Sequence, residues 1–250
     1  MAYRYDPDLE FLGTLKSEEM DDLVYLLTHD KDGKIRYTES LTKDNNYKRY
    51  YPEHIKYWEL IAEEIQLFGG NTFMNFIKGG KGVLYKEVLC DVCDKMKVKY
   101  KKSSSTKQIE QDLLMKILQV ALEKMTPEEL KKLSVEVGLE NVEEFTPHII
   151  TGAFFAIFKV GGFTSYKVTL IVVNAVMKAL VGRGLSFVGN IALVRYLAFI
   201  TGPVGLALTS IATFVDIAGP AYRVTIPAVV QIAYLRSLSE FRDEIEKEEK

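Results

Sequence analysis

The feature that most constrains this chain is a stretch of 95 residues, 145–239, that carries only eight charged side chains. Seven of them are basic and one, Asp216, is acidic, so the stretch has a net charge of +6. Residues 1–144 carry −5 and the tail 240–250 carries −3, which together give the formal net charge of −2. Because apolar surface is unfavourable in water, other parts of the protein must cover this stretch or it must face a membrane.

Residues 145–239 have the pattern of successive short helices. Apolar segments follow one another with glycine or proline at each join, and although their β-branched residues leave strands open, the segment lengths and glycine punctuation favour helices. No segment is a clean transmembrane span, since the charge-free run of 20 residues from Tyr196 to Val215 is interrupted by Gly202 and Pro203. We therefore predict a compact, glycine-rich apolar helical bundle here.

The rest of the chain has the pattern of ordinary amphipathic helices, so the fold class is predicted to be all-α. Asp6 with Pro7, and then Ser17, are start signals for the two helices of an N-terminal hairpin, and residues 40–51 are expected to form a loop or linker. Further helices are expected at 52–70, 71–79 and 83–97, from Ser105 onwards, and between Thr126 and Gly138. The chain then divides into 1–51, 52–144, 145–239 and the charged tail 240–250.

Several blocks of the sequence carry a family resemblance. They are YRYDPDLEFL at 3–12, LIAEEIQLFGGNTFMNFIKGGKGVLYKEVLCDVCDKMKV at 60–98, GPVG at 202–205 and AGPAYRVTIPAVVQIAYLR at 218–236. These blocks resemble an uncharacterised bacterial family, the YaaW-like proteins with relatives in Helicobacter and Campylobacter. The middle region of that family is distantly similar to the ubiquinol-cytochrome c chaperone domain, a helical assembly factor that binds a membrane protein as it is made. The resemblance implies a helical fold and supplies no catalytic residues.

Cys90 and Cys93 are the only cysteines of the chain, and their i, i+3 spacing places both thiols on one helix face. The spacing is that of a redox or metal half site. A complete zinc site needs four ligands, and the three histidines are scattered. A structural, half-buried pair is the favoured interpretation, with a redox or intermolecular role as the alternative, and no metal or cofactor is expected.

The segment Lys78, Gly79, Gly80, Lys81 and Gly82 is a candidate anion-binding loop. Its backbone N–H groups precede a predicted helix, where negative charge is favoured. The segment lacks the spacing of a P-loop, which needs G-x-x-x-x-G-K-[ST]. A plain connection between helices is the favoured interpretation.

Asp216 and Arg223 are the candidate buried ion pair of the charge-poor stretch. They lie seven residues apart, two turns if the helix were continuous across Gly219 and Pro220. Since an isolated buried charge is costly, we predict that they pair, with a proton or ion site as the functional alternative.

These patterns favour a non-enzymatic, chaperone-like interaction protein that uses apolar helices to contact a membrane surface or a membrane-protein client. The alternatives are a membrane-inserting, pore-forming-like helical domain and an enzyme acting on a lipid-like substrate. The acidic N-terminal region argues against a nucleic-acid partner, and a homo-oligomer stays open. The N-terminus lacks the pattern of a secretory signal, so a cytoplasmic protein is expected, with peripheral attachment to the inner membrane as a variant of that expectation.

Overall fold

The computed structural model describes residues 3–36, 39–69, 82–139, 142, 144–186 and 222–242. The described part of the chain contains nine α-helices and no β-strand, which confirms the all-α prediction. The helices are α1 Asp21–Thr28, α2 Asn45–Tyr50, α3 Trp58–Gly69, α4 Tyr85–Lys95, α5 Thr106–Leu122, α6 Pro127–Glu136, α7 Pro147–Val160, α8 Gly162–Val181 and α9 Tyr222–Glu240. Short 3-10 helices cover Glu10–Thr14, Ser17–Met20, Leu41–Lys43 and His54–Tyr57.

Several helices begin where the sequence places a cap. The Ser105 hydroxyl accepts a hydrogen bond from the Gln108 N–H, and Thr126 and Glu129 form a reciprocal capping box at the start of α6. Each cap satisfies backbone N–H groups that have no partner within the helix. The end of α8 at Gly182 is equally local, since Gly182 has a φ of 81°, which favours glycine.

Two predictions for the N-terminal segment are wrong. Asp6 does not start an α-helix, since its carboxylate accepts a hydrogen bond from the backbone N–H of Tyr85, 2.6 Å away, and so caps α4. The following chain forms only a 3-10 helix, Glu10–Thr14. Residues 40–51 are not a plain loop, because Asp44 caps the short helix α2 by accepting from the Asn46 N–H.

Helix α9 lies at the centre of the hydrophobic core. It contacts α8, α1, α4, α5, α3 and the first 3-10 helix, and its residues from Val224 to Leu235 are all buried. The core is one continuous cluster that takes side chains from 1–51, 52–144 and 145–239. The acidic, amphipathic helices of the first half thus cover the apolar residues of α9.

Helix α8 packs lengthwise on α9 and is mostly buried. By length and composition α8 could cross a membrane, and it is the one such helix within the described ranges. The sequence patterns did not predict a membrane span at this segment. However, 72% of its apolar 18-residue window is buried inside the protein. A core helix satisfies the same criteria, so these features give little support to a membrane span.

Helix α7 lies at the edge of this core. It packs against α5, α6 and α8, and does so through one stripe, Ile150, Phe154 and Phe158, spaced four residues apart. Its N-terminus is fixed by Thr146, whose hydroxyl accepts from the Ile149 N–H at 3.4 Å. The opposite side of α7 is left on the surface.

Candidate functional site

The outward side of α7, called here the α7 face, is the principal candidate site. Its exposed members share one contiguous arc of the helix: His148, Ile149, Gly152, Phe155, Ala156, Lys159 and Val160. Phe155 is 54% exposed and Val160 is 87% exposed. Exposed large apolar side chains that follow one another on a single helix face are typical of an interaction surface.

The charge of the α7 face is sparse and basic. Its ionisable members are His148 and Lys159, at opposite ends of the helix, and the face contains no acidic residue. A partner that covered this face would bury apolar side chains and meet the ammonium group of Lys159 near the C-terminal end of α7. Such a surface fits an apolar segment flanked by negative charge.

The α7 face rests on a rigid support, because α5 is anchored to the core by a buried ion pair. The Glu110 carboxylate accepts from Arg236 Nε at 2.9 Å and from the Tyr85 hydroxyl at 2.8 Å. Arg236 Nη2 also donates to the Asp8 carbonyl at 2.8 Å, so the pair joins α5, α4, α9 and the N-terminal segment.

Burial dominates the electrostatics of this pair. It raises the pKa of Glu110 more than the attraction of Arg236 and the hydrogen bond from Tyr85 lower it. Burial also acts to lower the pKa of Arg236, but the attractions of Glu110, Tyr85 and Asp8 and the hydrogen bond to Glu110 together outweigh it and leave that pKa raised. The guanidinium therefore stays charged, and the carboxyl bears the cost of desolvation.

A cavity of about 230 Å³ lies on another part of the surface, beside α1. Asp21, His54 and Arg183 line it together with several tyrosine rings. His54 Nε2 lies 2.7 Å from Asp21 Oδ1, and His54 Nδ1 is hydrogen-bonded to the Tyr57 hydroxyl. Burial lowers the pKa of His54 more than Asp21 raises it, so the ring is neutral near pH 7.

The two cysteines lie on α4, as predicted, but in different environments. Cys93 is fully buried and Cys90 is partly buried. Burial raises the pKa of the Cys93 thiol to about 12, so this thiol is protonated at neutral pH and is a poor nucleophile or metal ligand. No cluster of three metal-ligating side chains occurs among the residues that the structure describes.

Of the candidate anion loop, residues 78–81 lie outside the described residues and only Gly82 is placed. A Cβ atom at Gly82 would meet the Cβ of Gln66 at 2.6 Å and its backbone carbon at 3.1 Å. The absence of a side chain therefore lets the chain run against α3, where the Val83 N–H donates to the Gln66 carbonyl. This close approach gives Gly82 a structural role, and anion binding by Lys78, Gly79, Gly80 and Lys81 stays a prediction.

The predicted pair of Asp216 and Arg223 is also only half placed. Arg223 lies in the first turn of α9 and is exposed, whereas Asp216 lies outside the described residues. Their pairing stays a prediction.

Sequence reasoning missed the polar contacts that join distant segments. Glu110 and Arg236 lie 126 residues apart, and Asp22 lies 161 residues from Arg183, whose Nη2 donates to its carboxylate at 2.7 Å. A weak signal was available, since charged residues in an apolar region need partners, and Arg183 and Arg236 are two of only seven basic residues in 145–239.

Comparison with known proteins identifies relatives along the whole chain. Residues 53–230 match the family model for the ubiquinol-cytochrome C chaperone, and residues 3–37 match a domain of unknown function. A UPF0174 protein of Helicobacter pylori strain J99 is 50% identical over 247 residues, which cover 99% of this chain and 97% of the relative. The UPF0174 protein YaaW of Escherichia coli strain K12 is 34% identical over 241 residues, 94% of this chain and 96% of the relative.

No solved structure matches the chain. The identities and coverage are sufficient to assign the family, and they agree with the resemblance carried by the sequence blocks. The chain therefore belongs to the UPF0174 family, and its residues 53–230 carry a ubiquinol-cytochrome C chaperone domain.

Proposed function

We propose that this protein is a non-enzymatic, chaperone-like protein that holds an apolar helix of a client protein on the α7 face. The observation that carries the proposal is the row of exposed apolar side chains Ile149, Phe155 and Val160 on a helix whose opposite stripe is locked into the core. The family model for residues 53–230 supports it, because the protein it describes is a chaperone.

The dimensions of the α7 face favour a helix as the occupant. A helix of 14 residues is about 21 Å long, which matches most of an apolar membrane-crossing segment before its insertion. Helix-in-groove recognition uses apolar anchors at i, i+3, i+4 and i+7 spacings. Ile149 and Ala156 lie at i and i+7 of α7, and the exposed Gly152 between them leaves room for a close approach. A client helix flanked by acidic residues would also meet His148 and Lys159.

The test is binding of a fluorescent synthetic peptide with an apolar helical centre and acidic flanks, measured by anisotropy with the full chain. Burying a phenylalanine fully stabilises a complex by about 1.5–3 kcal/mol. Since Phe155 is 54% exposed, Phe155→Ser should remove roughly half of that stabilisation, which weakens the peptide affinity about four- to tenfold. A matched control, Ile35→Ser, changes an exposed apolar residue outside α7 and should leave the affinity unchanged.

Two further probes separate a protein client from a membrane. A peptide with the same centre and lysine flanks should bind more weakly than the acidic one, because its charges repel those of the α7 face. Vesicles of neutral and of anionic lipid should compete poorly with the acidic peptide. The proposal is wrong if the full chain binds anionic vesicles but not the peptide, or if Phe155→Ser and Ile35→Ser act alike.

A further inference from the structure

The cavity beside α1 has walls made largely of aromatic rings. The rings of Tyr47 and Tyr51 lie 5.2 Å apart and are tilted by 36°, and the Tyr51 ring meets the His54 ring edge-on at 5.7 Å. The Tyr25 ring, on another wall, stacks on the imidazole of His29 at 4.4 Å. His29 covers one face of the Tyr25 ring and Arg183 covers the other, so Tyr47 and Tyr51 are the tyrosines of the lining that can meet a bound group. Aromatic faces attract cations.

The positive charge in the cavity wall is already neutralised. Arg183 Nη2 donates to Asp22 Oδ1 at 2.7 Å, and the guanidinium carbon lies 3.9 Å from the centre of the Tyr25 ring. Asp22 is 2% exposed and also accepts from the backbone N–H and the hydroxyl of Ser186. Since Arg183 and Asp22 cancel, Asp21 sets the net charge of the cavity at −1.

Asp21 is held in position from behind. The Asp21 carboxylate can accept a hydrogen bond from His54 but cannot donate one. In the neutral imidazole Nε2 therefore carries the proton, and Nδ1 accepts from the Tyr57 hydroxyl. His54 and Tyr57 are both buried, whereas the Asp21 side chain is 47% exposed. These hydrogen bonds hold Oδ1 of Asp21 against His54, and the rest of the carboxylate stays exposed to the cavity.

We infer that the cavity binds a small organic cation of the substituted-ammonium class, with the Asp21 carboxylate as counter-ion and the rings of Tyr47 and Tyr51 beside the charged group. Its volume of about 230 Å³ is below the range of drug-sized pockets and suits a small amine or a headgroup. The site is independent of the proposed client binding, because none of its lining residues belongs to α7.

The test is isothermal titration of the full chain with three probes. Choline supplies the ammonium group, 3,3-dimethylbutanol has the same shape without the charge, and benzoate tests whether Arg183 instead selects an anion. Choline should bind, and the uncharged analogue should bind about tenfold more weakly or not at all. Glycerophosphocholine tests whether the natural ligand is a free amine or a lipid headgroup. If it binds more tightly than choline, the ligand is a lipid headgroup, and if it binds more weakly, the ligand is a free amine.

Variants locate the binding. Asp21→Asn keeps the shape of the side chain and should weaken choline about tenfold. Glu128→Gln, a matched loss of one negative charge at an exposed position of α6, should leave the affinity unchanged. The inference is overturned if choline gives no binding at tens of millimolar, if the uncharged analogue binds equally well, if benzoate binds more tightly, or if Asp21→Asn and Glu128→Gln behave alike. Because the comparison of probes uses the unaltered protein, it is informative even if Asp21→Asn does not fold.

Discussion

Replacing Arg236 by methionine tests whether the buried pair with Glu110 anchors the core. Methionine retains most of the aliphatic stem and removes the guanidinium, whose carbon lies 4.5 Å from the centre of the Phe11 ring. The Glu110 side chain is 3% exposed, so after the substitution its carboxylate would keep only the hydrogen bond from Tyr85. A buried charge that loses its partner is destabilising by about 3–5 kcal/mol.

The structure also sets a ceiling on this loss. An isolated buried carboxylate can avoid this cost by taking up a proton. Protonating a carboxyl with the ordinary pKa of 4.5 at pH 7 costs about 3.4 kcal/mol, because pH 7 lies two and a half units above that pKa and each unit costs about 1.36 kcal/mol. We therefore expect Arg236→Met to lower the free energy of unfolding by about 3 kcal/mol at pH 7, measured by urea denaturation.

The dependence on pH gives the sharper test. A carboxyl whose pKa is higher in the folded than in the unfolded state binds a proton on folding between those two pKa values, so stability falls as pH rises through that window. Removing Arg236 raises the folded pKa of Glu110 further above 4.5, because the main attraction that lowers it is lost. The destabilisation of Arg236→Met should thus shrink to about 1 kcal/mol at pH 5.

A double variant controls for lost packing. Glu110→Gln combined with Arg236→Met leaves no ionisable pair, keeps an acceptor for the Tyr85 hydroxyl, and should lack the additional loss of stability that the single variant shows between pH 5 and pH 7. An equal loss at both pH values in the single variant would refute the reasoning, since it would mean that the orphaned charge of Glu110 is not the cause.

Three other outcomes follow from local environments. Cys93, with a pKa of about 12, should resist iodoacetamide at pH 8 in the folded protein, whereas Cys90 should react first. Peptide mass spectrometry would measure both rates, and equal rates would contradict the burial of Cys93. The Gln231 amide is buried without a hydrogen-bond partner in the described part of the chain, so Gln231→Met should raise the free energy of unfolding by about 1–3 kcal/mol, and a loss would mean that the amide is satisfied. Thr126→Ala should cost about 1 kcal/mol in the same urea assay, because it removes the cap of α6, and no change would mean that the cap contributes nothing.

The sequence predicts what depends on neighbouring residues. The caps at Ser105 and Thr126 are confirmed, because each involves side chains and backbone within three residues of one another. Residues 40–51 were assigned wrongly, because the helix there has only six residues, Asn45–Tyr50, and is too short to show a period. Asp6 was assigned to the wrong helix, since its capping partner lies 79 residues away.

The candidate sites could not be predicted for the same physical reason. Helix α7 is apolar on both sides, with Phe154 buried and Phe155 exposed, so hydrophobic periodicity does not identify its outer face. The cavity combines Asp21, His54 and Arg183, which meet only where α1 packs against both the 3-10 helix His54–Tyr57 and the chain after α8. No spacing in the sequence relates these three residues.

The charge-poor stretch shows why composition alone does not locate a functional surface. Helices α7, α8 and α9 share the same apolar character. Helices of the first half cover α9, and α8 is packed on α9, so of these three helices only α7 keeps large exposed apolar side chains. Since most residues of α8 and α9 are buried inside the protein, the apolar composition of these two helices needs no partner to explain it. The exposure of Phe155 and Val160 has no such explanation within the described residues, and a surface that the fold itself leaves apolar is where a client would bind.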